Sequence, residues 1–91
     1  MSTKLKVFTK NDCPRCPAAK RLGEEIKKEG AIEVEFYSTD EADGLAEAQL
    51  YSVLATPTIV LCQKNADEEE IQSWRGEAPT KEDVISYNIG K

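Results

Sequence analysis

The sequence predicts an α/β domain in which three helices flank a four-stranded mixed sheet, in the order βαβαββα. Two observations point to this class. In the first half of the chain, short apolar-rich runs typical of strands alternate with segments of helical periodicity. Two consecutive strand-like runs then follow, joined by a polar turn, before a last helical segment. A βαβ unit makes its two strands parallel through a right-handed crossover, and a hairpin adds antiparallel strands to the same sheet.

The first strand and first helix are separated by a short break. The strand is predicted from Leu5 to Lys10, and Asn11-Asp12 ends it. The helix is predicted from Pro14, and Gly30 is expected to terminate it, because glycine readily adopts the left-handed conformation found after helices. Its predicted apolar stripe is Ala18, Leu22 and Ile26. Its predicted charged face is Lys20, Arg21, Glu24, Glu25 and Lys28.

The second strand and second helix follow from similar patterns. The apolar residues of the strand are Ile32, Val34 and Phe36. Asp40 or Asp43 is expected to cap the helix, because a short carboxylate side chain accepts hydrogen bonds from the first free amides. The predicted apolar residues of this helix are Ala42, Leu45, Ala46 and Leu50. Gly44 weakens the helical prediction, because glycine is a poor helix former.

The last two strands form a predicted hairpin, and a helix follows it. The third strand spans 58–62, and its continuous apolar run predicts burial on both faces of the sheet. The polar segment 64–68 is the predicted turn, and the fourth strand spans 71–75. Gly76 and Pro79 mark a break. Thr80 and Asp83 then resemble a capping box that opens the last helix.

Length and charge restrict the classes of function. Ninety-one residues predict a single domain over 1–91. The 12 basic and 17 acidic residues give a net charge of −5, which argues against nucleic-acid binding. No apolar run approaches the roughly 20 residues of a membrane span. The first eight residues lack the features of a signal peptide, so we expect a cytoplasmic protein. We also expect the protein to be a monomer.

The chain contains three cysteines and no histidine. The absence of histidine excludes serine–histidine and cysteine–histidine catalysis and every mixed cysteine–histidine zinc site. An odd number of cysteines argues against a simple structural disulfide framework. Paired cysteines in a cytosolic protein are more often catalytic or metal-binding than structural.

Cys13 and Cys16 lie where the first strand gives way to the first helix. We expect Cys13 at the helix cap and Pro14 at the first helical position, so that free amides and the helix dipole stabilise a thiolate. Arg15 adds a positive charge, and Pro17 is expected to loosen the first turn. The predicted chemistry is thiol–disulfide exchange, in which Cys13 attacks a substrate disulfide and Cys16 resolves the mixed disulfide.

A metal site is the alternative interpretation of two cysteines at this spacing. Structural zinc usually needs four such ligands, and Cys62 is the one further cysteine. Two chains that share a metal ion or an iron–sulfur cluster through their cysteine pairs remain a possible arrangement. Cys62 itself, at the end of an apolar run, is expected to be a small buried hydrophobic residue, with a regulatory thiol as the alternative.

Several segments together resemble the thioredoxin superfamily, and specifically its small glutaredoxin-like and thioredoxin-like members. These segments are Val7-Phe8-Thr9-Lys10, Cys13-Pro14-Arg15-Cys16, Thr56-Pro57-Thr58 and Gly76. The resemblance implies the thioredoxin fold and a dithiol oxidoreductase that needs no metal or organic cofactor. It also implies that Pro57 is cis and lies beside the cysteine pair. The backbone of Thr56 would then pair with an extended substrate.

The resemblance does not decide between two electron donors. One is glutathione, and the other is a reductase similar to thioredoxin reductase. Lys10 stands where glutaredoxins carry a lysine that contacts a glutathione carboxylate. Residues 74–79, however, depart from the Gly-Gly and Asp pattern of glutaredoxins. The predicted substrates are therefore protein or small-molecule disulfides, with a glutathione-dependent glutaredoxin as the alternative. The predicted substrate-binding residues are Lys10, Pro14, Arg15, Thr56 and Pro57.

Overall fold

In the computed structural model, residues 3–30, 32–64 and 68–89 are described. The elements are β1 (Thr3–Thr9), α1 (Cys16–Glu29), β2 (Glu33–Ser38), α2 (Ala42–Leu50), β3 (Thr58–Gln63), β4 (Glu70–Arg75) and α3 (Lys81–Ile89). The predicted order and the four-stranded mixed sheet are confirmed. Within the predicted turn, residues 65–67 lie outside the described ranges. No helix of the described part of the chain is long and apolar enough to cross a membrane.

The strand order in the sheet is β2-β1-β3-β4. β1 is parallel to β2 and antiparallel to β3, and β3 is antiparallel to β4. β1 and β3 are therefore the central strands. The run 58–62 of β3 is buried along its whole length, which confirms the prediction that this strand is covered on both faces.

Two hydrophobic layers cover the two faces of the sheet, because successive side chains of a strand point to opposite sides. The larger layer joins β1, β2 and β3 to α1 and α3. Its buried members are Leu5, Val7, Ala19, Leu22, Ile26, Ile32, Val34, Ile59, Leu61 and Val84. The smaller layer joins β1 and β3 to α2. Its buried members are Phe8, Ala48, Val60 and Cys62.

α1 begins two residues later than predicted, at Cys16 rather than Pro14. Pro17 has no N–H, so it cannot donate the backbone hydrogen bond that would include Cys13 in the helix. The chain instead forms a tight turn, in which the Cys16 N–H donates to the Cys13 carbonyl over 3.2 Å. Arg15 is the N-cap residue.

The other predictions for α1 are confirmed with one exception. Gly30 ends the helix in the left-handed conformation, with φ of 79°. Leu22 and Ile26 are buried, and the predicted charged face is exposed. Ala18, however, is exposed, and Ala19 is buried in its place. The buried stripe therefore lies one residue further along the helix at this end.

The predicted apolar face of α2 is wrong. Gly44 and Ala48 are the buried residues of this helix, whereas Leu45 and Leu50 are 48% and 75% exposed. Gly44 explains the orientation, because a Cβ atom at this position would lie 1.8 Å from the Ser38 carbonyl oxygen. Glycine thus permits α2 to approach the end of β2 more closely than any other residue would allow.

The predicted caps of the last two helices have different outcomes. Neither Asp40 nor Asp43 caps α2, whose N-cap position is held by Glu41 without a side-chain hydrogen bond. The capping box of α3 is confirmed. The Asp83 N–H donates to Thr80 Oγ1 over 3.1 Å, and the Thr80 N–H donates to Asp83 Oδ2 over 3.3 Å.

Lys6 is buried in the sheet, with 1% of its side chain exposed. Its ammonium group is paired with the carboxylates of Glu47 on α2 and Glu68 before β4, the latter at 2.7 Å. It also lies 5.0 Å from the centre of the Tyr51 ring. Burial alone would lower the pKa of Lys6, but the hydrogen bonds to Glu47 and Glu68 outweigh it and raise the pKa. The lysine therefore stays charged and ties α2 to the sheet.

The carboxylate of Glu68 makes the stability of the fold depend on pH. Hydrogen bonds from Lys4 and then Lys6 lower its pKa below the ordinary value of 4.5. A carboxyl group with a lowered folded-state pKa stabilises the fold above its unfolded-state pKa. That contribution is lost as the pH falls through the folded-state value.

We therefore expect Glu68→Gln to lose less free energy of unfolding than the unmodified protein when the pH falls from 7 to about 3. At pH 7 the variant should be the less stable of the two, because Lys4 and the buried Lys6 each lose an ion pair with Glu68. Urea unfolding at both pH values measures the difference. Glu24→Gln, at an exposed position of α1, is the charge-matched control. An equal acid-induced loss in Glu68→Gln and the unmodified protein would contradict this account.

Candidate active site

The pairing of β1 with β3 brings three loops to one edge of the sheet. The register pairs Phe8 near the end of β1 with Thr58 at the start of β3, and Thr58 also pairs with Arg75 at the end of β4. The segment after β1, the segment before β3 and the turn after β4 must therefore lie side by side. These segments carry Cys13, Pro57 and Gly76, respectively.

Cys13 and Cys16 are joined by a disulfide, with their Cα atoms 5.3 Å apart. Cys16 is the first residue of α1 and is 3% exposed, whereas Cys13 precedes the helix and is only half-buried. A solvent-borne reactant can therefore approach the sulfur of Cys13 more readily than that of Cys16. The expectation that Cys13 occupies the helix cap is wrong, because Arg15 holds that position.

Arg15 extends from the cysteine segment to the turn after β4. Its Nη1 donates to the Gly76 carbonyl oxygen over 3.4 Å. The Gly76 N–H donates in turn to the Pro57 carbonyl over 2.8 Å. Gly76 adopts φ of 77°, a left-handed conformation that favours glycine. These contacts join all three segments of the site.

The Thr56–Pro57 peptide bond is cis, as the resemblance predicts. Pro57 is fully buried, and the hydroxyl of Thr58 donates to the Ala55 carbonyl over 2.7 Å. The Oγ1 atom of Thr56 is buried and has no hydrogen-bond partner. Within the described ranges, the backbone N–H and carbonyl of Thr56 also make no backbone hydrogen bond. The backbone N–H and carbonyl of Thr56, unlike its buried hydroxyl, can therefore pair with an approaching strand of substrate.

The predicted substrate-binding residues divide into two sets. Lys10 and Thr56 line one pocket of about 210 Å³ between α2 and the segment before β3. In the described part of the chain, Lys10 makes no salt bridge. Arg15 lies on the side of Gly76 instead, and the exposed Pro14 does not line the pocket.

The apolar wall of this pocket was not predicted from the sequence. It consists of Leu45, Ala48, Val53, Leu54 and Ala55. The apolar run 53–55, separated from Pro57 only by Thr56, was the available signal. Leu45 was instead assigned to the buried face of α2, and its exposure depends on how closely Gly44 approaches Ser38.

Cys62 is fully buried in the smaller hydrophobic layer, as predicted for a small apolar residue. Its thiol lies 3.5 Å from the Lys4 carbonyl oxygen, to which it donates. Burial raises the pKa of the Cys62 thiol, which disfavours the reactive thiolate. Among the residues that the structure describes, no three acidic, cysteine or histidine side chains form a group that could hold a metal ion.

Comparisons with known proteins agree with this geometry. A family model described as a thioredoxin domain matches residues 3–87. The chain is 42% identical over 84 residues to a thioredoxin of Methanocaldococcus jannaschii, which covers 90% of this chain and 87% of that protein.

Solved structures of thioredoxins share the fold. A mutant thioredoxin of Halobacterium salinarum superposes with a TM-score of 0.75 at 26% identity, covering 94% of this chain and 74% of that one. The thioredoxin of Fasciola hepatica gives a TM-score of 0.77 at 23% identity, covering 99% and 82%.

The unequal burial of the three cysteines predicts their order of alkylation. After reduction, brief treatment of the folded protein with iodoacetamide should modify Cys13 and leave Cys62 unmodified, because Cys62 is fully buried and its pKa is raised. Mass spectrometry of proteolytic peptides locates the modification. The same treatment in urea should label all three cysteines. Labelling of Cys62 at the rate of Cys13 in the folded protein would show that the assignment of burial is wrong.

Proposed function

Because the chain belongs to the thioredoxin family and is a thiol–disulfide oxidoreductase, we propose that it reduces substrate disulfides with Cys13 as nucleophile and Cys16 as resolving cysteine. One observation carries the assignment of roles. The two sulfurs form a disulfide in which Cys13 is half-buried and Cys16 is nearly inaccessible. An external disulfide can then approach Cys13, whereas Cys16 is placed to react only with Cys13.

The exchange proceeds in two steps that conserve atoms and electrons. The Cys13 thiolate attacks one sulfur of the substrate disulfide, and the other substrate sulfur leaves as a thiolate and takes up a proton. Cys16 then loses its proton and attacks the sulfur of Cys13. This step forms the Cys13–Cys16 disulfide and releases the second substrate thiol. The protein is oxidised by two electrons and the substrate is reduced by two.

The surroundings of Cys13 favour its thiolate. Arg15 brings a positive charge next to the pair, and the free amides of the first turn of α1 present partial positive charge. Because Cys13 precedes the N-cap residue, the helix acts on it from a greater distance than the sequence predicted.

Substrate binding is assigned to the residues around the pair. The backbone N–H and carbonyl of Thr56 beside Pro57 are suited to an extended segment of substrate, which would pair with this backbone as an added strand. Pro14 and Arg15 stand between the two cysteines in the sequence and are both exposed to a substrate. Electrons would be resupplied by a reductase or by glutathione, with no metal or organic cofactor required. The expected setting is the cytoplasm, where a reducing environment keeps such pairs active.

A glutathione-dependent glutaredoxin is the second candidate. The observation that favours it is the presence of Lys10 and Thr56 in one pocket. A lysine ammonium is a suitable partner for a carboxylate of glutathione. The turn after β4 instead contains Gly76 hydrogen-bonded to Pro57, and its sequence lacks the Gly-Gly and Asp pattern that glutaredoxins carry there.

Replacement of the resolving cysteine tests the assignment of roles. We expect Cys16→Ser to accumulate a mixed disulfide on Cys13 when it is incubated with a synthetic peptide that contains an intramolecular disulfide, because the second step is blocked. Cys13→Ser should form no adduct, since Cys16 is buried. Intact-mass and peptide mass spectrometry identify the adduct and its position. A Cys62→Ser background is the control, and it should not change the result.

Two results would alter the proposal. An adduct on Cys16 in the Cys13→Ser variant, formed as fast as on Cys13 in Cys16→Ser, would reverse the roles of the two cysteines. In a parallel incubation with oxidised glutathione, an adduct that forms much faster than the peptide adduct would favour the glutaredoxin alternative.

A further inference from the structure

Arg75, the last residue of β4, reaches the end of α2. Its Nη2 atom donates to the Tyr51 carbonyl over 2.9 Å, and its Nη1 atom donates to the Ser52 carbonyl over 3.0 Å. The carboxylate of Glu70 accepts a further hydrogen bond from Nη2 over 3.3 Å. A guanidinium group can bond two carbonyls at once because its donors form a rigid planar fork. Arg75 therefore fixes the position at which the chain leaves α2.

The end of α2 has no cation of its own, because the last turn of this helix contains no basic residue. Carbonyl groups at the C-terminal end of a helix lack intrahelical donors and carry partial negative charge, so a nearby cation stabilises them. Ser52 also adopts φ of 54°, a left-handed conformation that is unfavourable for residues other than glycine. Contacts from the surrounding structure must therefore hold Ser52, and Arg75 supplies one of them.

Arg75 and Gly76 hold opposite ends of the segment 51–57. The side chain of Arg75 bonds the carbonyls at the start of this segment, and the Gly76 N–H donates to the Pro57 carbonyl at its end over 2.8 Å. Within the described ranges, the backbone of Thr56 makes no backbone hydrogen bond between these two points. The segment is thus fixed at both ends while Thr56 is left to pair with a substrate. The position of the Thr56 backbone therefore depends on the end of β4.

We propose that Arg75 is a positioning residue for the reaction at Cys13, because it holds the backbone of Thr56 where an extended protein substrate pairs with it. The inference rests on the proposed function, in which the substrate lies along Thr56 while its disulfide reacts at Cys13. Arg75 acts through the segment 51–57 and not on the reacting sulfurs. Loss of its hydrogen bonds should therefore slow the reaction of an extended peptide far more than the reaction of a small disulfide.

Two coloured-product disulfides test this assignment. One is a flexible peptide whose central cysteine is joined by a disulfide to 2-nitro-5-thiobenzoate, and the other is 2-mercaptoethanol joined to the same group, which has no peptide backbone. The Cys13 thiolate attacks the sulfur of the peptide or of mercaptoethanol, and 2-nitro-5-thiobenzoate leaves as a thiolate that absorbance detects. The second-order rate with the peptide, divided by that with the small disulfide, is the peptide ratio. Dithiothreitol gives the intrinsic peptide ratio of the two disulfides.

We expect Arg75→Met, which keeps a long side chain but removes every donor, to lower the peptide ratio about tenfold, within the roughly hundredfold loss that a misplacement of about 1 Å can cause. Arg75→Lys should give an intermediate ratio, because an ammonium group keeps the charge but not the planar fork. Arg21→Met removes the same charge from an exposed position of α1 and should leave the ratio unchanged. Circular dichroism verifies the fold at the assay temperature, and a variant that is only less stable would lose both rates together.

Four results would overturn the inference, and they differ from one another. An unchanged peptide ratio in Arg75→Met and Arg75→Lys would exclude the positioning role while leaving the oxidoreductase function intact. An equal loss in Arg21→Met would assign the effect to the lost charge and not to the contacts of Arg75. A ratio for the unmodified protein no higher than that of dithiothreitol would exclude pairing of the substrate with Thr56. Failure of the reduced protein to react even with the small disulfide would contradict the proposed function itself.

Discussion

The antiparallel pairing of β1 with β3 is the constraint on which the site depends. It aligns Phe8 with Thr58, so the segment that carries Cys13 and Cys16 and the segment that ends in Pro57 begin at the same edge of the sheet. Both strands are buried on both faces, and a slip of one residue would exchange every side chain between the two hydrophobic layers. The register of β1 against β3 is therefore strongly specified, and it determines which segments lie close to the disulfide.

The position of α2 decides what surrounds that disulfide. Gly44 allows the helix to approach β2 closely, and the pairing of Lys6 with Glu47 ties the buried side of the helix to the sheet. As a result Leu45 lies at the surface, where it lines the pocket together with Thr56. The same close packing that orders the smaller hydrophobic layer thus shapes this pocket.

Features that depend on local sequence could be predicted. The end of α1 at Gly30, the capping box at Thr80 and the location of the cysteine pair follow from neighbouring residues alone. The cis bond before Pro57 came from the family resemblance.

Features that depend on distant residues could not be predicted. Lys6 is buried because carboxylates 41 and 62 residues away reach its ammonium group, and no pattern within β1 indicates them. The orientation of α2 likewise depends on contact between Gly44 and Ser38. The pocket depends on that orientation, so the spacing of apolar residues along the sequence could not predict it.

A redox titration in glutathione buffers of defined ratio, with mass spectrometry of each quenched sample, tests the central claim most directly. The account predicts one reversible two-electron transition, mapped to Cys13–Cys16 and unchanged by Cys62→Ser, with a tenfold change in the reduced-to-oxidised ratio for about every 30 mV. A pair that never forms the disulfide, or that a bound metal protects from oxidation, would contradict it.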